Sequence, residues 1–303
     1  MGITKIAENK KNAQRTWEYT NSAREAWSNI IEEYKKLYPN AKVLLPSYIG
    51  WSANEGSGIF DSVKNAGVDF EFYSLDKYLN IDISDLKNKV KSNENCLVLL
   101  VHYFGFIDDK YSEIVEWLNQ EKIYYIEDCA HAWLTDLIGG KCGRNGKCAF
   151  YSLHKILPLS KGGLLVSNQI EEAVENLNPF VSLNYDLLNI YNKRRDNYQY
   201  LVKILKDIDG IEVIHEELNE GICPQTLPVI LNGIDRDNLY HKMNQLGFGM
   251  VSLYHTMIQE LQNYDAEACS VTHKKIINFP IHQDINYNDL DELVENLKKV
   301  LDV

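Results

Sequence analysis

The stretch Ala149-Phe150-Tyr151-Ser152-Leu153-His154-Lys155-Ile156-Leu157-Pro158-Leu159-Ser160-Lys161-Gly162-Gly163, read together with Tyr125-Ile126-Glu127-Asp128-Cys129-Ala130-His131, decides the fold. In each, a short apolar run leads to a charged group, Asp128 after the first and Lys155 after the second. The double glycine then returns the chain to a third run, Leu164-Leu165-Val166. Short apolar runs bounded by turn residues predict buried strands. Open α/β sheets hold their ligands at strand ends, so the pattern predicts a carboxylate and an amine at neighbouring strand ends. Taken alone, the pair reads either as an ordinary ion pair or as a reactive site.

Outward from that centre, strand and helix patterns alternate. Asn21 or Ser22 is positioned to cap a helix carrying Ala26, Trp27, Ile30, Ile31, Tyr34 and Leu37 on one face. Strands are expected at Lys42–Leu45, Phe70–Tyr73, Leu97–Val101 and Ile123–Ile126, with helices around Leu86 and Val90 and around Ile114, Val115 and Leu118. This alternation predicts a mostly parallel central sheet with helices on both faces. The first twenty residues, with Lys5, Lys10, Lys11 and Arg15, are expected to form a polar arm rather than core.

Beyond Gly163 the pattern predicts a strand to Asn168 and a helix from Glu171 to Leu177, and Asn178-Pro179 marks a break. The break suggests a large domain over 1–180 and a smaller C-terminal α/β domain over 181–303. A long amphipathic helix with Leu187, Leu188, Tyr191, Tyr198, Leu201, Val202 and Leu205 is expected to bridge them. Strands at Ile211–Ile214 and Leu227–Leu231 follow, with helices at Asp237–Leu246 and Tyr287–Leu301.

Composition narrows the class. The chain has 303 residues, 45% hydrophobic and 24% charged, as in soluble globular proteins. A formal net charge of -12 argues against non-specific nucleic-acid binding, which needs a basic face. No apolar run reaches the roughly 20 residues of a membrane span, and the start Met1-Gly2-Ile3-Thr4-Lys5 lacks a signal-peptide core. A cytoplasmic protein with no membrane partner is expected. The six cysteines contain no C-x-x-C pair, so no metal site is expected, although Cys142 and Cys148 lie close in sequence.

The central block resembles the sugar aminotransferases of the DegT/DnrJ/StrS type, which use pyridoxal phosphate (PLP) and have the type I PLP-dependent transferase fold. Glu127-Asp128-Cys129-Ala130-His131 matches the family's E-D-A-A-H/Q, and Lys155 with Gly162-Gly163 matches its lysine and double glycine at the same spacing. Val101-His102-Tyr103-Phe104-Gly105 with Asp108 is similar to the family's V-H-x-x-G-x-x-x-D, and Phe279-Pro280-Ile281-His282 to its L-P-I-H.

The resemblance implies specific roles. Lys155 would hold the cofactor covalently and move protons, and Asp128 would face the pyridine nitrogen. His131 would contact the ring or its phenolic oxygen, and Ser152 the phosphate. Ser22-Ala23-Arg24, resembling S-G-T/R, would offer helix N-terminal amides to that phosphate, with Ala23 where glycine is usual. Tyr48 and Trp51, after Pro46, are both candidates to stack on the ring. The segment Ser52–Gly58 is longer than in the family's common form.

Two departures stand out. Two residues fewer separate Ser152 from Lys155 than in the family's S-F-H-x-x-K. Only Asn184-Tyr185 remains of a G-Y-N-Y-R insert that reaches a neighbouring subunit, with Asp186 in place of arginine. The implied function is transfer of an amino group from a donor such as glutamate to a keto group of a nucleotide-linked sugar, or of a smaller carbonyl compound, by a homodimer with shared active sites. The alternatives are a non-catalytic or regulatory homologue and a PLP-dependent lyase, dehydratase or racemase.

Overall fold

The computed structural model describes residues 14–170 and 185–302. The chain begins with an edge strand, β1 (Gln14–Thr20), and then the helix α1 (Ala23–Leu37). Ser22 is the N-cap of α1, its hydroxyl accepting from Glu25 N, and Lys35 and Lys36 in the last turn complement the helix dipole. The elements β2 (Lys42–Pro46), α2 (Phe60–Ala66), β3 (Asp69–Tyr73), α3 (Ile83–Lys91), β4 (Cys96–Val101) and α4 (Tyr111–Gln120) alternate as the periodicity requires. After them come β5 (Tyr124–Asp128), the short helix α5 (Trp133–Leu137), β6 (Cys148–Ser152) and β7 (Gly163–Ile170).

These strands make one seven-stranded sheet in the order β1-β7-β6-β5-β4-β2-β3. The five strands from β3 to β6 run parallel, whereas β7 runs antiparallel to both of its neighbours, β6 and β1. Leu97 to Leu100 of β4 and Val43 to Leu45 of β2 are buried, as expected for strands covered on both faces.

The remaining elements are α6 (Leu187–Leu205), β8 (Ile211–Val213), β9 (Leu227–Leu231), α7 (Arg236–Gln245), a single turn α8 (His273–Lys275), β10 (Ile276–Phe279) and α9 (Tyr287–Leu301). Here β10-β9-β8 form a three-stranded antiparallel sheet on which α7 packs, and α9 packs on α6 and α7. Residues from both sheets share one hydrophobic cluster, running from Val43 and Leu99 to Val229 and Phe279. The expected helix at Glu171–Leu177, the break at Asn178-Pro179 and Asn184 lie outside the described residues.

The structure corrects the reading of the N-terminal arm. Gln14–Thr20 is not an arm but a paired strand, in register with β7 from Thr16↔Ser167 to Thr20↔Gly163. Its anchor is Arg15, whose guanidinium donates to both carboxylate oxygens of buried Asp136 (3.0 and 2.7 Å) and to the hydroxyl of Tyr151 (2.9 Å). Arg144 Nε and the Tyr151 hydroxyl donate to the same carboxylate. A residue that looks like surface charge in the sequence is therefore the counter-ion of a buried acid. Leu37 and Leu188, expected on buried faces, are exposed (67% and 59%), since each sits in a terminal turn beyond its helix's packed stripe.

Removing one partner of a buried ion pair leaves the other uncompensated. Arg144 still faces Asp136, and Arg15 is itself partly exposed. Arg15→Met is accordingly expected to cost about 2 kcal/mol of unfolding free energy in urea denaturation, less than the roughly 3–5 kcal/mol of a fully buried pair.

Candidate active site

The parallel pairing of β5 with β6, through Glu127↔Ala149 and Asp128↔Phe150, brings the two key strand ends side by side. Asp128 closes β5. Ser152 closes β6, and Lys155 ends the 3-10 turn Leu153–Lys155 that follows. That turn is held by Leu153 N donating to Gly162 O (3.0 Å) and by Gln283 Nε2 donating to Ile156 O (3.2 Å). Gln283 is positioned in turn by Arg194 Nε of α6 (3.0 Å). The C-terminal part of the chain thus braces the lysine.

Asp128 is buried, and among the described residues its carboxylate accepts one hydrogen bond, from Ala130 N (2.9 Å). Burial raises its pKa to about 6, with the Ala130 bond and the Lys155 and His102 charges pulling the other way. Lys155 is partly buried, and desolvation lowers its pKa against the opposing pull of Asp128 and Glu55. This pair is therefore no satisfied ion bridge: the acid lacks a close cation, and the amine gives up its proton more easily than a free lysine.

His131 lies on the same side. Its Nδ1 accepts from Phe104 N (3.1 Å), and burial together with the Lys155 charge keeps its pKa well below the ordinary value. The ring is thus neutral, with its proton on Nε2. Phe104 stacks on it (centroids 5.9 Å apart, 17° between planes). Phe104 itself adopts a left-handed backbone (φ 56°), a strain of the kind that collects at functional sites.

A second feature converges from the N-terminal side. Ser152 pairs with Gly163, and a Cβ on Gly163 would come within 2.4 Å of Ser22 C and 2.6 Å of Ala23 N. Only glycine lets the start of α1 pack this closely against β7. Ser22, Ala23 and Ser152 are thereby gathered at one end of the sheet. The first amides of a helix have no acceptors within it, and its dipole favours an anion there. The Arg24 guanidinium is turned aside, donating to the Glu55 carbonyl of the Ser52–Gly58 loop.

The two aromatic candidates are not equivalent. Tyr48 is wholly buried, its hydroxyl donating to Leu253 O (3.1 Å), whereas Trp51 is 46% exposed. His154, beside Lys155, is exposed, and either ring nitrogen lies near Ser152 Oγ (3.2 and 3.4 Å).

Several contributors were not legible as site residues. Buried Glu127 interacts with His102 Nε2 (2.9 Å) and accepts from Tyr111 Oη (2.6 Å) and from the backbone N–H groups of Gly143, Asn145 and Gly146. These donors, His102 foremost, hold its pKa down at about 2 against the cost of burial. Cys142 faces Cys129 (Sγ–Sγ 3.9 Å) rather than its sequence neighbour Cys148, and His102 completes a buried cluster with these two thiols. Tyr254 from the C-terminal part packs on His131. Only the E-D-x-x-H spacing could have pointed to Glu127, and nothing local points to Tyr254.

The arrangement is suited to a flat, ionisable ligand with three handles. A cationic nitrogen would satisfy Asp128, an anion would meet the α1 amides and Ser152, and a carbonyl would meet the Lys155 amine. Asp128→Asn tests the electrostatic part without any ligand. A native pKa about two units above the unfolded 3.8 means that the apo protein loses stability as pH rises from about 4 to 6. The Asn variant is therefore expected to be up to about 3 kcal/mol more stable than wild type at pH 7, and little different near pH 4, in urea titrations at the two pH values.

Comparison with known proteins bears on the fold and on the resemblance of the central block. The model of the DegT/DnrJ/EryC1/StrS aminotransferase family matches residues 40–179. A GDP-perosamine synthase of Vibrio cholerae is 32% identical over 92 residues, 30% of this chain and 24% of that enzyme, so the match spans about a quarter of the relative's length. Among solved structures, the Helicobacter pylori PseC, an aminotransferase involved in the biosynthesis of pseudoaminic acid, aligns over 94% of this chain and 86% of its own, with TM-score 0.74 and 16% identity. Bacillus subtilis NtdA with bound cofactor PMP aligns over 95% and 73%, with TM-score 0.72 and 18% identity. The fold is that of these aminotransferase structures, and residues 40–179 resemble the DegT/DnrJ/EryC1/StrS aminotransferase family.

Proposed function

We propose that the protein is a PLP-dependent aminotransferase that moves an amino group from an amino acid, with glutamate the expected donor, to a keto group of a nucleotide-linked sugar. The observation that carries this reading is the Asp128–Lys155 pair: a buried acid with one hydrogen bond and a raised pKa, beside an amine whose pKa is lowered. The acceptor class is supported by the relative named as a GDP-perosamine synthase.

The residues present fit the cofactor. Asp128 would face its pyridine nitrogen, Lys155 would bind it covalently, and the α1 amides at Ser22, Ala23 and Arg24 with Ser152 would take its phosphate. When bound, PLP supplies an electron sink for the carbon that carries the migrating amino group. Asp128, ionised above about pH 6, keeps a proton on the facing nitrogen. Lys155, with burial favouring its neutral form, takes and returns the proton at the substrate carbon. His131 offers Nε2–H as a neutral donor, so it orients without adding a charge. Buried Tyr103, Phe104 and Tyr48 exclude water from this side.

In this reading the active form is a homodimer working on small molecules inside the cell, with Gly162-Gly163 near the partner's site. Three of the chain's departures from the family's pattern bear on activity: Ala23 in the phosphate loop, the shorter Ser152–Lys155 spacing and Asp186 in place of arginine. They make catalysis itself the point to test. Incubation of the PLP-loaded protein with glutamate is expected to release 2-oxoglutarate and leave pyridoxamine phosphate in equal amounts. Asp128→Asn is expected to slow this about a hundredfold or more, as loss of a preorganised charge does elsewhere. Bound PLP that converts with no amino acid would favour the non-catalytic reading, and elimination or racemisation products without 2-oxoglutarate would favour the lyase or racemase.

A further inference from the structure

We infer that Tyr254, and neither Tyr48 nor Trp51, supplies the aromatic face that covers the cofactor ring opposite His131. The inference rests on the reading that this site takes PLP. It starts from the two aromatics that follow Pro46. Tyr48 meets Tyr103 and Tyr254 edge-on, at 71° and 74°, and its hydroxyl is spent on Leu253 O, so it serves as packing beneath the site. Trp51 is half exposed, and its backbone N–H is tied to Thr256 O (2.9 Å).

Tyr254 has the placement these two lack. Its ring lies within 27° of parallel to His131, with centroids 6.1 Å apart, and within 37° of Phe104 at 6.3 Å. Gly50 makes room for it: a Cβ there would lie 2.1 Å from Tyr254 Cδ1. Tyr254 also holds a left-handed backbone (φ 63°), which costs a non-glycine residue energy and persists only where its surroundings enforce it.

Those surroundings are visible on both sides. Gly50 pairs with Met257 as an isolated bridge, and Leu253 N donates to Asn278 Oδ1 (3.1 Å) at the edge of β10. The Asp128 carboxylate is also near enough to add to the upward shift that burial imposes on the Tyr254 phenol. The ring thus lies near the acid and faces a neutral imidazole. Two ring faces that take a third flat ring between them need about 7 Å, twice a van der Waals contact of about 3.5 Å. The ring centroids are 6.1 Å apart, so the two rings would have to move apart to admit the cofactor ring. Offset stacking between such faces is favourable beyond the area buried.

The test is the dissociation constant of PLP for the apo protein, measured by equilibrium dialysis on wild type, Tyr254→Phe, Tyr254→Leu, Gly50→Val and Trp51→Ala. Tyr254→Phe keeps the ring and is expected to bind within about twofold of wild type. Tyr254→Leu removes it and is expected to bind roughly tenfold more weakly, of the order expected for an aromatic stacking contact together with some lost packing. Gly50→Val leaves Tyr254 in the chain but displaces its ring, and should weaken binding similarly. It also serves as the second variant if Tyr254→Leu fails to fold. Wild-type affinity in Tyr254→Leu, or a loss in Trp51→Ala as large as that in Tyr254→Leu, would overturn the inference while leaving the cofactor reading intact. If wild type itself takes up no PLP, the cofactor reading falls and the inference with it.

Discussion

The interaction on which the site depends is the burial of Glu127. A carboxylate with no solvent exposure is tolerable only when its lone pairs are filled. Here His102, Tyr111 and three amides of the Gly143–Gly146 turn fill them. The consequence is mechanical. His102 follows β4, Tyr111 opens α4 and the amides belong to the turn before β6, so one carboxylate joins three segments around the end of β5. Asp128 is the next residue, and its position is fixed by what its neighbour binds. One acid has its hydrogen bonds made by the protein, whereas the adjacent one is left almost bare. That asymmetry separates a structural carboxylate from one held ready for a ligand, and it is reflected in pKa shifts of opposite sign, to about 2 and about 6.

The same division runs through the rest of the sheet end. Gly163 has no side chain, so that α1 can approach, and Gly50 has none, so that Tyr254 can. Phe104 and Tyr254 accept left-handed backbones to present their rings to His131. Each concession at the site is offset by ordinary packing nearby, the buried Val43–Leu45 of β2 and Leu97–Leu100 of β4 and Arg194–Gln283 behind the lysine turn.

The sequence carried the fold well where periodicity is local. The strands from β2 to β6 and the helices α1, α3, α4 and α9 follow from apolar spacing and caps, and the carboxylate–lysine juxtaposition follows from two runs and their terminal residues. What it could not carry were contacts made across the chain. Arg15 looks like a surface charge until Asp136, 121 positions away, is seen to need it. Tyr254 is one of 19 tyrosines and becomes distinctive only when the C-terminal segment folds back over Gly50. Glu127 stood in a motif, but its role lies in a ring of donors drawn from three segments. The proximity of Cys129 to Cys142 was hidden in the same way, since spacing in sequence favoured Cys142 with Cys148.

The central claim is that Lys155, at the end of β6 and beside Asp128, is the reactive amine of this fold. The most direct measurement is to reduce the PLP-treated protein with borohydride, digest it and locate the modified lysine by mass spectrometry. The account predicts one stoichiometric pyridoxyl group, on Lys155. Modification at exposed Lys161 or spread over surface lysines, with Lys155 unmodified, would contradict it.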